Sequence, residues 1–118
     1  MVKSTNEKGD IIISSAVFTS LAGAAATNCF GVKGMALRSY SDGIVHLLKR
    51  EAMGKGVHII YHDDNTVSIE LHIVVEYGVN ISALTKSIIS EVRYKVHSAA
   101  GVDVKSVDVF IDSMVVNQ

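Results

Sequence analysis

A helical pattern over residues 81–99 that runs through Gly101 directly into a valine-rich segment constrains this fold more than any other stretch. Its apolar side chains recur at spacings of three and four residues, which places them on one stripe of an amphipathic helix. The stripe consists of Ile81, Leu84, Ile88, Val92, Val96 and Ala99. Asn80 is suited to cap the first turn, and Gly101 to adopt the left-handed conformation that ends many helices. We therefore predict a long helix followed by a strand without a linker.

The valine-rich segment predicts a strand with one buried face, because valine and isoleucine alternate with other residues over 107–112. Val102 and Val104 continue the apolar pattern with the opposite parity. A change of parity needs an extra residue in the strand, so we expect a bulge or bend near Lys105 and Ser106.

Length and composition indicate a single domain over residues 1–118, since 118 residues with 48% hydrophobic content supply one ordinary core. Residues 1–9 are polar and predict a flexible tail. The net charge of −1 gives no electrostatic footprint for nucleic acid or an anionic membrane, and no apolar run reaches the roughly 18 residues of a membrane span. Cys29 is the single cysteine, which excludes an internal disulfide and favours a reduced, cytoplasmic environment.

The rest of the chain divides into short elements at glycine and other turn-forming residues, because the sequence contains no proline. Periodicity predicts helices over 15–28 and 41–53, and strands over 10–13, 32–37, 57–61 and 67–75. With the long helix and the last strand, the order is β-α-β-α-β-β-α-β. We expect a small α/β (α+β) domain, with a sheet of about five strands covered by two longer helices and one short helix.

A unit that consists of a strand, a capped helix, a Gly-Val pair and a second strand occurs twice in the predicted order. The helix ends and the second strand begins at Gly31-Val32 in the first copy and at Gly101-Val102 in the second. This unit predicts a weak structural repeat in which two βαβ-like halves cover a common sheet. Helices often end at glycine, so coincidence is the alternative.

The strands over 57–61 and 67–75 predict a hairpin that carries several histidines on one face. Its buried face is predicted to consist of Val67, Ile69, Leu71, Ile73 and Val75. The opposite face then carries His58, His62, Glu70 and His72. Imidazole and carboxylate groups can hold zinc, but neighbours on one face of a strand are about 7 Å apart, too far to share an ion without another strand. We interpret this set as a solvated face and predict no metal site.

The motif Gly31-Val32-Lys33-Gly34 has the form of the GXXG loop with which KH domains clamp nucleotides. A KH-like nucleic-acid-binding module is therefore the alternative function. Its candidate contacts are Gly31, Lys33, Gly34, Lys49, Arg50 and Lys55. Against it, the KH loop joins two helices, whereas a helix and a strand flank this one, without a basic surround.

No motif of a catalytic nucleophile, a phosphate-binding loop or a dinucleotide fingerprint is present in the sequence. Cys29 lies in an apolar helix without a basic neighbour, which indicates an inert thiol. We therefore expect no enzyme activity, no catalytic residue and no cofactor.

Two apolar features have no place inside this predicted fold. The helix over 15–28 carries a run of alanines with little polar surface, and Phe110 points away from the face on which Val109 and Ile111 are buried. The candidate interaction residues are Ala22, Ala25, Ala26 and Phe110. We expect a homo-oligomer, most simply a two-fold dimer. The alternative is a monomer in which the segment 41–53 packs over one of these features.

Five motifs stand in a specific order along most of the chain. They are Gly-Asp-Ile-Ile-Ile-Ser at 9–14, Gly-Val-Lys-Gly-Met at 31–35, Lys-Gly-Val at 55–57, Glu-Tyr-Gly-Val-Asn-Ile at 76–81 and the valine pattern over 101–109. In this arrangement the chain resembles the alkaline shock protein family, the envelope stress-response proteins found mainly in Gram-positive bacteria. It departs from the family at Thr27-Asn28-Cys29-Phe30, where an acidic residue often precedes Gly-Val.

The resemblance implies a small α/β module without catalytic residues, located in the cytoplasm and in some members held at the membrane by a partner protein. It also implies a role in envelope homeostasis under alkaline or cell-wall stress. We therefore expect a protein-interaction or scaffolding module that does not itself insert into the membrane, whose partners are proteins, in some cases a membrane-anchored one, and for which nucleic acid is the less favoured ligand.

Overall fold

The computed structural model describes residues 2–6, 9–38, 45–47 and 54–116, and these form two helices and seven strands. In chain order the elements are β1 (Val2–Asn6), β2 (Gly9–Ile13), α1 (Ser15–Thr27), β3 (Val32–Arg38), β4 (Val45–Leu47), β5 (Val57–Tyr61), β6 (Val67–Glu76), α2 (Ile81–Ala100) and β7 (Val104–Val115). β1 and β2 form a two-stranded sheet, and the other five strands form the main sheet. The predicted mixed α/β class is confirmed.

β6 is the centre of the main sheet and pairs with three other strands. β7 runs parallel to it along its whole length. A strand has only two edges, so β5 and β3, which both pair antiparallel with β6, share the opposite edge: β5 pairs with the first half of β6 and β3 with the second half. β4 extends the sheet beyond β3.

Gly56 lies where β5 begins beside β3 on that shared edge. A Cβ atom at this position would come within 2.9 Å of the Ala36 carbonyl oxygen and 3.0 Å of the Met35 Cβ. Real Cβ atoms essentially never come as close as the first of these contacts, and the second is unusually tight, so glycine allows the two strands to meet in line along β6. This explains physically why glycine stands in the Lys-Gly-Val motif at 55–57.

One face of β6 forms the centre of the hydrophobic core, together with α1 and α2. Its inward side chains, all fully buried, are Val67, Ile69, Leu71, Ile73 and Val75, as predicted. The predicted phase of α2 is confirmed by its buried residues Leu84, Ile88, Val92 and Val96. Ile81 and Ala99 are exposed, so the buried stripe begins and ends inside the helix.

Both predicted ends of α2 are confirmed. The Asn80 side-chain oxygen accepts a hydrogen bond from the Ala83 backbone N–H at 3.1 Å. Gly101 adopts a left-handed conformation with φ of 69°, and its N–H donates to the His97 carbonyl oxygen. The two features stop the helix and return the chain to the sheet.

α1 covers its part of the sheet with small side chains. Ala22, Ala25 and Ala26 are at most 1% exposed, and the helix contacts α2, β3 and β5. The prediction that these alanines form an interaction surface is therefore wrong. Small side chains let α1 lie close to its own neighbours, so the chain itself covers the face that had been assigned to a second copy.

The crossover from β6 through α2 to β7 is the parallel βαβ unit expected of the second half of the predicted repeat. The first half differs. Among the described strands, β2 pairs with β1 and not with β3, so β2, α1 and β3 do not form a βαβ unit. The two Gly-Val boundaries share a local turn, not a common topology.

The predicted helix over 41–53 is wrong at residues 45–47. Val45–Leu47 is strand β4, paired antiparallel with β3, and the Leu47 side chain is 57% exposed. The remainder of the predicted helix lies outside the described residues. The edge of β3 offers unpaired backbone groups, and pairing with it outweighs a short helical periodicity.

The flexible tail predicted over 1–9 differs from the structure at residues 2–6 and 9, whereas residues 1, 7 and 8 lie outside the described part of the chain. Val2–Asn6 forms β1, which pairs with β2, and Val2 is buried against the core. The Lys3 ammonium lies 3.2 Å from the Asp10 carboxylate across this hairpin. Tertiary contact therefore orders a segment whose composition is polar.

The bulge predicted near Lys105 and Ser106 is confirmed. Val104 pairs with Val67 and Ser106 with Ser68, which leaves Lys105 as the extra residue. A second shift of register, not predicted, leaves Asp112 unpaired between Ile111 and Ser113. Between these bulges, residues 106–111 are the regular part of β7.

Candidate functional site

The two motif segments at 31–35 and 76–81 lie side by side at one end of the molecule. The Glu76 backbone N–H donates to the Gly31 carbonyl oxygen at 2.9 Å, and the Lys33 ammonium lies 3.5 Å from the Glu76 carboxylate. β3 begins here and β6 ends here, so the antiparallel pairing of these strands places the two segments together. We call this region, residues 28–34 and 76–81, the motif end.

Gly31 is required in the motif end for two reasons. Its φ of +97° is a conformation that residues with a side chain rarely adopt. In addition, a Cβ atom at this position would come within 2.8 Å of the Val79 Cγ1 atom. Gly31 therefore lets the α1–β3 turn pack directly against the turn before α2.

A groove of about 930 Å³ opens beside this junction, between the end of α1 and the first half of α2. Its lining residues are Asn28, Cys29, Phe30, Gly78, Val79, Asn80, Ala83, Leu84, Lys86, Ser87, Ser90 and Glu91. Leu84 and Val79 supply apolar surface, whereas Lys86 and Glu91 supply one charge of each sign. The groove is open and of mixed polarity.

Phe30 lies on this groove with 91% of its surface exposed. Tyr77, in the neighbouring turn, is 72% exposed, and its backbone N–H donates to the Val115 carbonyl oxygen at 2.7 Å. That hydrogen bond brings the end of β7, with the exposed Val116, to the same end of the molecule. Large apolar side chains therefore collect where the two motifs meet.

Phe30 and Tyr77 are not among the site residues predicted from the sequence. The available signal was their position, since each is an aromatic residue adjacent to a glycine of a family motif. The antiparallel pairing of β3 with β6, which brings them together, joins residues about 40 apart in the chain and could not be deduced from periodicity.

The GXXG loop proposed for nucleic acid does not form. Gly31 ends a turn, Lys33 is the extra residue of a bulge in β3 and pairs with Glu76, and Gly34 is buried in the strand opposite Val74. Lys55 is exposed, but it lies next to the point where β5 begins beside the middle of β3 and is not part of the motif end. Lys49 and Arg50 lie outside the described residues.

Cys29 lines the groove but is not an activated thiol. Burial raises the pKa of the Cys29 thiol, and the negative charge of Glu91 raises it further. The sulfur lies 3.5 Å from the Ala25 carbonyl oxygen, to which the thiol donates. The thiol therefore stays protonated at neutral pH, which agrees with the inert role predicted for it.

The predicted histidine face lies on the side of the sheet opposite the two helices. The His72 Nδ1 atom is 3.0 Å from the Asp112 carboxylate, and the His72 ring stacks on Phe110 with centroids 4.8 Å apart. His58 meets the other side of His72 edge-on, and His62 Nε2 bonds the Ser68 hydroxyl at 2.7 Å.

Glu70 lies on the same face of β6. In the strand registers it is opposite His58 of β5 on one side and Asp108 of β7 on the other. Within the described ranges, no group of three or more histidine, cysteine, aspartate or glutamate side chains could hold a metal ion. Phe110 remains 43% exposed, so it is the one member of the predicted interaction set that lies on the surface.

The fold and the motif end together define a small α/β module with a surface groove, and comparison with known proteins places it in a family. The family model of the alkaline shock proteins, described as having a cell envelope-related function, matches residues 3–116. The chain belongs to this family, and the resemblance seen in its sequence motifs is confirmed.

Individual relatives match over nearly the whole chain. The uncharacterized protein YloU of Bacillus subtilis (strain 168) is 32% identical over 107 residues, which cover 90% of this chain and 88% of that protein. The uncharacterized protein Spy1614 of Streptococcus pyogenes serotype M6 is 34% identical over 114 residues, which cover 96% and 93%. No solved structure matches the chain.

In the part that the structure describes, neither helix combines the length and apolar character needed to cross a membrane.

Proposed function

We propose that this protein is a non-catalytic interaction module of the cell envelope, and that a protein partner docks on the motif end. The observation that carries the proposal is the Phe30 side chain, 91% exposed on a groove that is lined by residues 28–30, by residues 78–80 of one family motif and by the first half of α2. The family's cell envelope-related function supplies the setting. A membrane-anchored protein is the kind of partner that would bring such a module to the envelope.

Burial of an exposed phenylalanine is favourable by about 1.5–3 kcal/mol, which is enough for one aromatic anchor to dominate a small interface. Tyr77 offers a second aromatic side chain nearby, with a hydroxyl that can bond at the rim. The groove adds Lys86 and Glu91, which can fix the orientation of a bound segment through opposite charges. The motif end and the adjoining groove thus combine an apolar anchor with polar groups that can confer specificity.

The test is site-specific photo-crosslinking in the native host. A photoreactive phenylalanine analogue replaces Phe30 in one strain and Tyr94 in a second strain. Tyr94 is the matched control, because it is also an exposed aromatic residue, 65% exposed, but lies in the second half of α2 away from the groove. We expect an adduct with one envelope protein from position 30 and none from position 94.

The affinity of that partner, once purified, provides the quantitative measurement. Phe30→Ala is expected to weaken binding by about tenfold or more, as for a central aromatic anchor, whereas Tyr94→Ala leaves it unchanged. Equal adducts from both positions, or no loss with Phe30→Ala, would contradict docking at the motif end. Tight RNA binding that falls steeply between two salt concentrations would contradict the proposed class of function itself.

A further inference from the structure

The outer edge of β7 is a second surface with a specific geometry, independent of the motif end. β7 has 12 residues and is the longest strand, yet among the described strands it pairs with β6 alone. At one end of this edge, the Arg93 guanidinium donates to the Lys105 carbonyl oxygen at 3.2 Å. The regular segment 106–111 lies between two bulges and contains one charged residue, Asp108, but no lysine or proline, the residues that commonly protect an edge strand.

The core-side face of the sheet is apolar up to this edge, and Phe110 adds an apolar side chain to the outer face, which is otherwise polar. Val109 and Ile111 pack against the core but are only half-buried, and Phe110 on the other face is 43% exposed. An added strand would cover these side chains and pair with the backbone groups of 106–111 that no other described strand pairs with.

We propose that the occupant of this edge is β7 of a second copy, which pairs antiparallel about a two-fold axis perpendicular to the sheet. The register follows from the bulges and the charges. In such a pair, the residue on the two-fold axis lies opposite the same residue of the second copy. If five residues of the regular segment 106–111 are to pair, the residue on the axis must be Asp108 or Val109. Centring on Asp108 sets two carboxylates directly opposite, which is destabilising.

Centring on Val109 avoids this repulsion. Val107 then faces Ile111 of the second copy on the core side, and Asp108 faces Phe110 of the second copy on the outer side. The segment is thus self-complementary in one register. Five paired residues are fewer than a standard interface supplies, so we expect a dimer that exchanges and depends on concentration.

The test is disulfide trapping in the full chain, with Cys29→Ala as the background that removes the native thiol. Opposite residues of an antiparallel pair have Cα atoms about 4.5–5.5 Å apart, which suits a disulfide. Val109→Cys is expected to trap a dimer on mild oxidation. Asp108→Cys and Phe110→Cys should each trap little alone, but a mixture of the two proteins should form the mixed dimer.

Ser98→Cys, exposed on α2, is the matched control for random collision, and circular dichroism checks that each variant is folded. Sedimentation equilibrium of the unmodified protein over a hundredfold range of concentration should show monomer converting to dimer. A monomer mass throughout, or trapping at Ser98→Cys equal to that at Val109→Cys, would overturn the proposal. Trapping strongest with Asp108→Cys alone would overturn the register.

Discussion

α1 and α2 cover the same face of the main sheet by different means. α2 is amphipathic and buries four aliphatic side chains in one stripe, with Asn80 bonded to its first turn and a left-handed Gly101 at its end. α1 buries Phe18 with alanines and a glycine, and its N-cap residue Ser14 makes no side-chain hydrogen bond to the helix. α2 is stabilised by the volume of its buried side chains and by its caps, and α1 by its close approach to the neighbouring elements. We therefore expect a loss of side-chain volume to destabilise α2 and a gain of volume to destabilise α1.

The largest effect is expected from loss of volume in α2. Ile88 is fully buried, and Ile88→Ala should lower the free energy of unfolding by about 2–5 kcal/mol, the usual range for a cavity left by a buried aliphatic side chain. Lys86→Ala, two residues earlier on the exposed side, is the control and should change it by less than about 0.5 kcal/mol. Similar losses at both positions in urea denaturation would show that the phase of α2 is wrong.

Gain of volume should damage α1 instead. Ala25 is buried among α2 and the sheet, so Ala25→Leu should destabilise the protein by about 1–3 kcal/mol through overpacking. Ala24→Leu adds the same atoms on the exposed side of the same helix and should have little effect. If both leucine variants were equally stable, α1 would not be in close contact, and the contrast with α2 would be lost.

The same contrast explains how much of the fold could be predicted. The stripe, caps and end of α2 follow from local periodicity and from residues with strong local preferences, so its boundaries were predicted within one residue. α1 was located correctly, but its alanines carry no periodic signal that distinguishes a buried face from an exposed one. Composition alone suggested a free surface, and only the tertiary neighbours show that the chain covers it.

Capping gives a smaller and directly matched comparison. Asn80→Ala removes the bond to the Ala83 N–H and should cost about 1 kcal/mol. Ser14→Ala removes no such bond and should be nearly neutral. Thermal denaturation of the two variants against the parent measures both. An equal loss of stability in Ser14→Ala would indicate that the Ser14 hydroxyl makes a stabilising contact that is not present in the structure.

The candidate site was less predictable than the fold, for a physical reason. The motif segments can be found in the sequence, but the groove beside their junction forms where the turn at Gly31 packs on Val79, nearly 50 residues later. Strand β4 was missed on similar grounds, since its pairing depends on the edge of β3 and not on its own three residues. Contacts distant in the chain determine both, and local periodicity contains no information about them.

The smallest expected effect is the pH dependence that Cys29 adds at the end of α1. Burial and the Glu91 charge raise the pKa of its thiol above the ordinary value of 9.0, so the folded protein favours the protonated form. A raised pKa stabilises the fold fully at pH below 9.0 and ceases to do so as the pH rises through the folded-state value. The difference in unfolding free energy between the parent and Cys29→Ala should therefore move against the parent above pH 9. Urea denaturation of both proteins at pH 7 and pH 10 measures this difference.

A difference that stays constant with pH would contradict the prediction. It would mean that the thiol is as well solvated in the folded chain as in the unfolded one, and that the end of α1 is more open than its contact with the core implies.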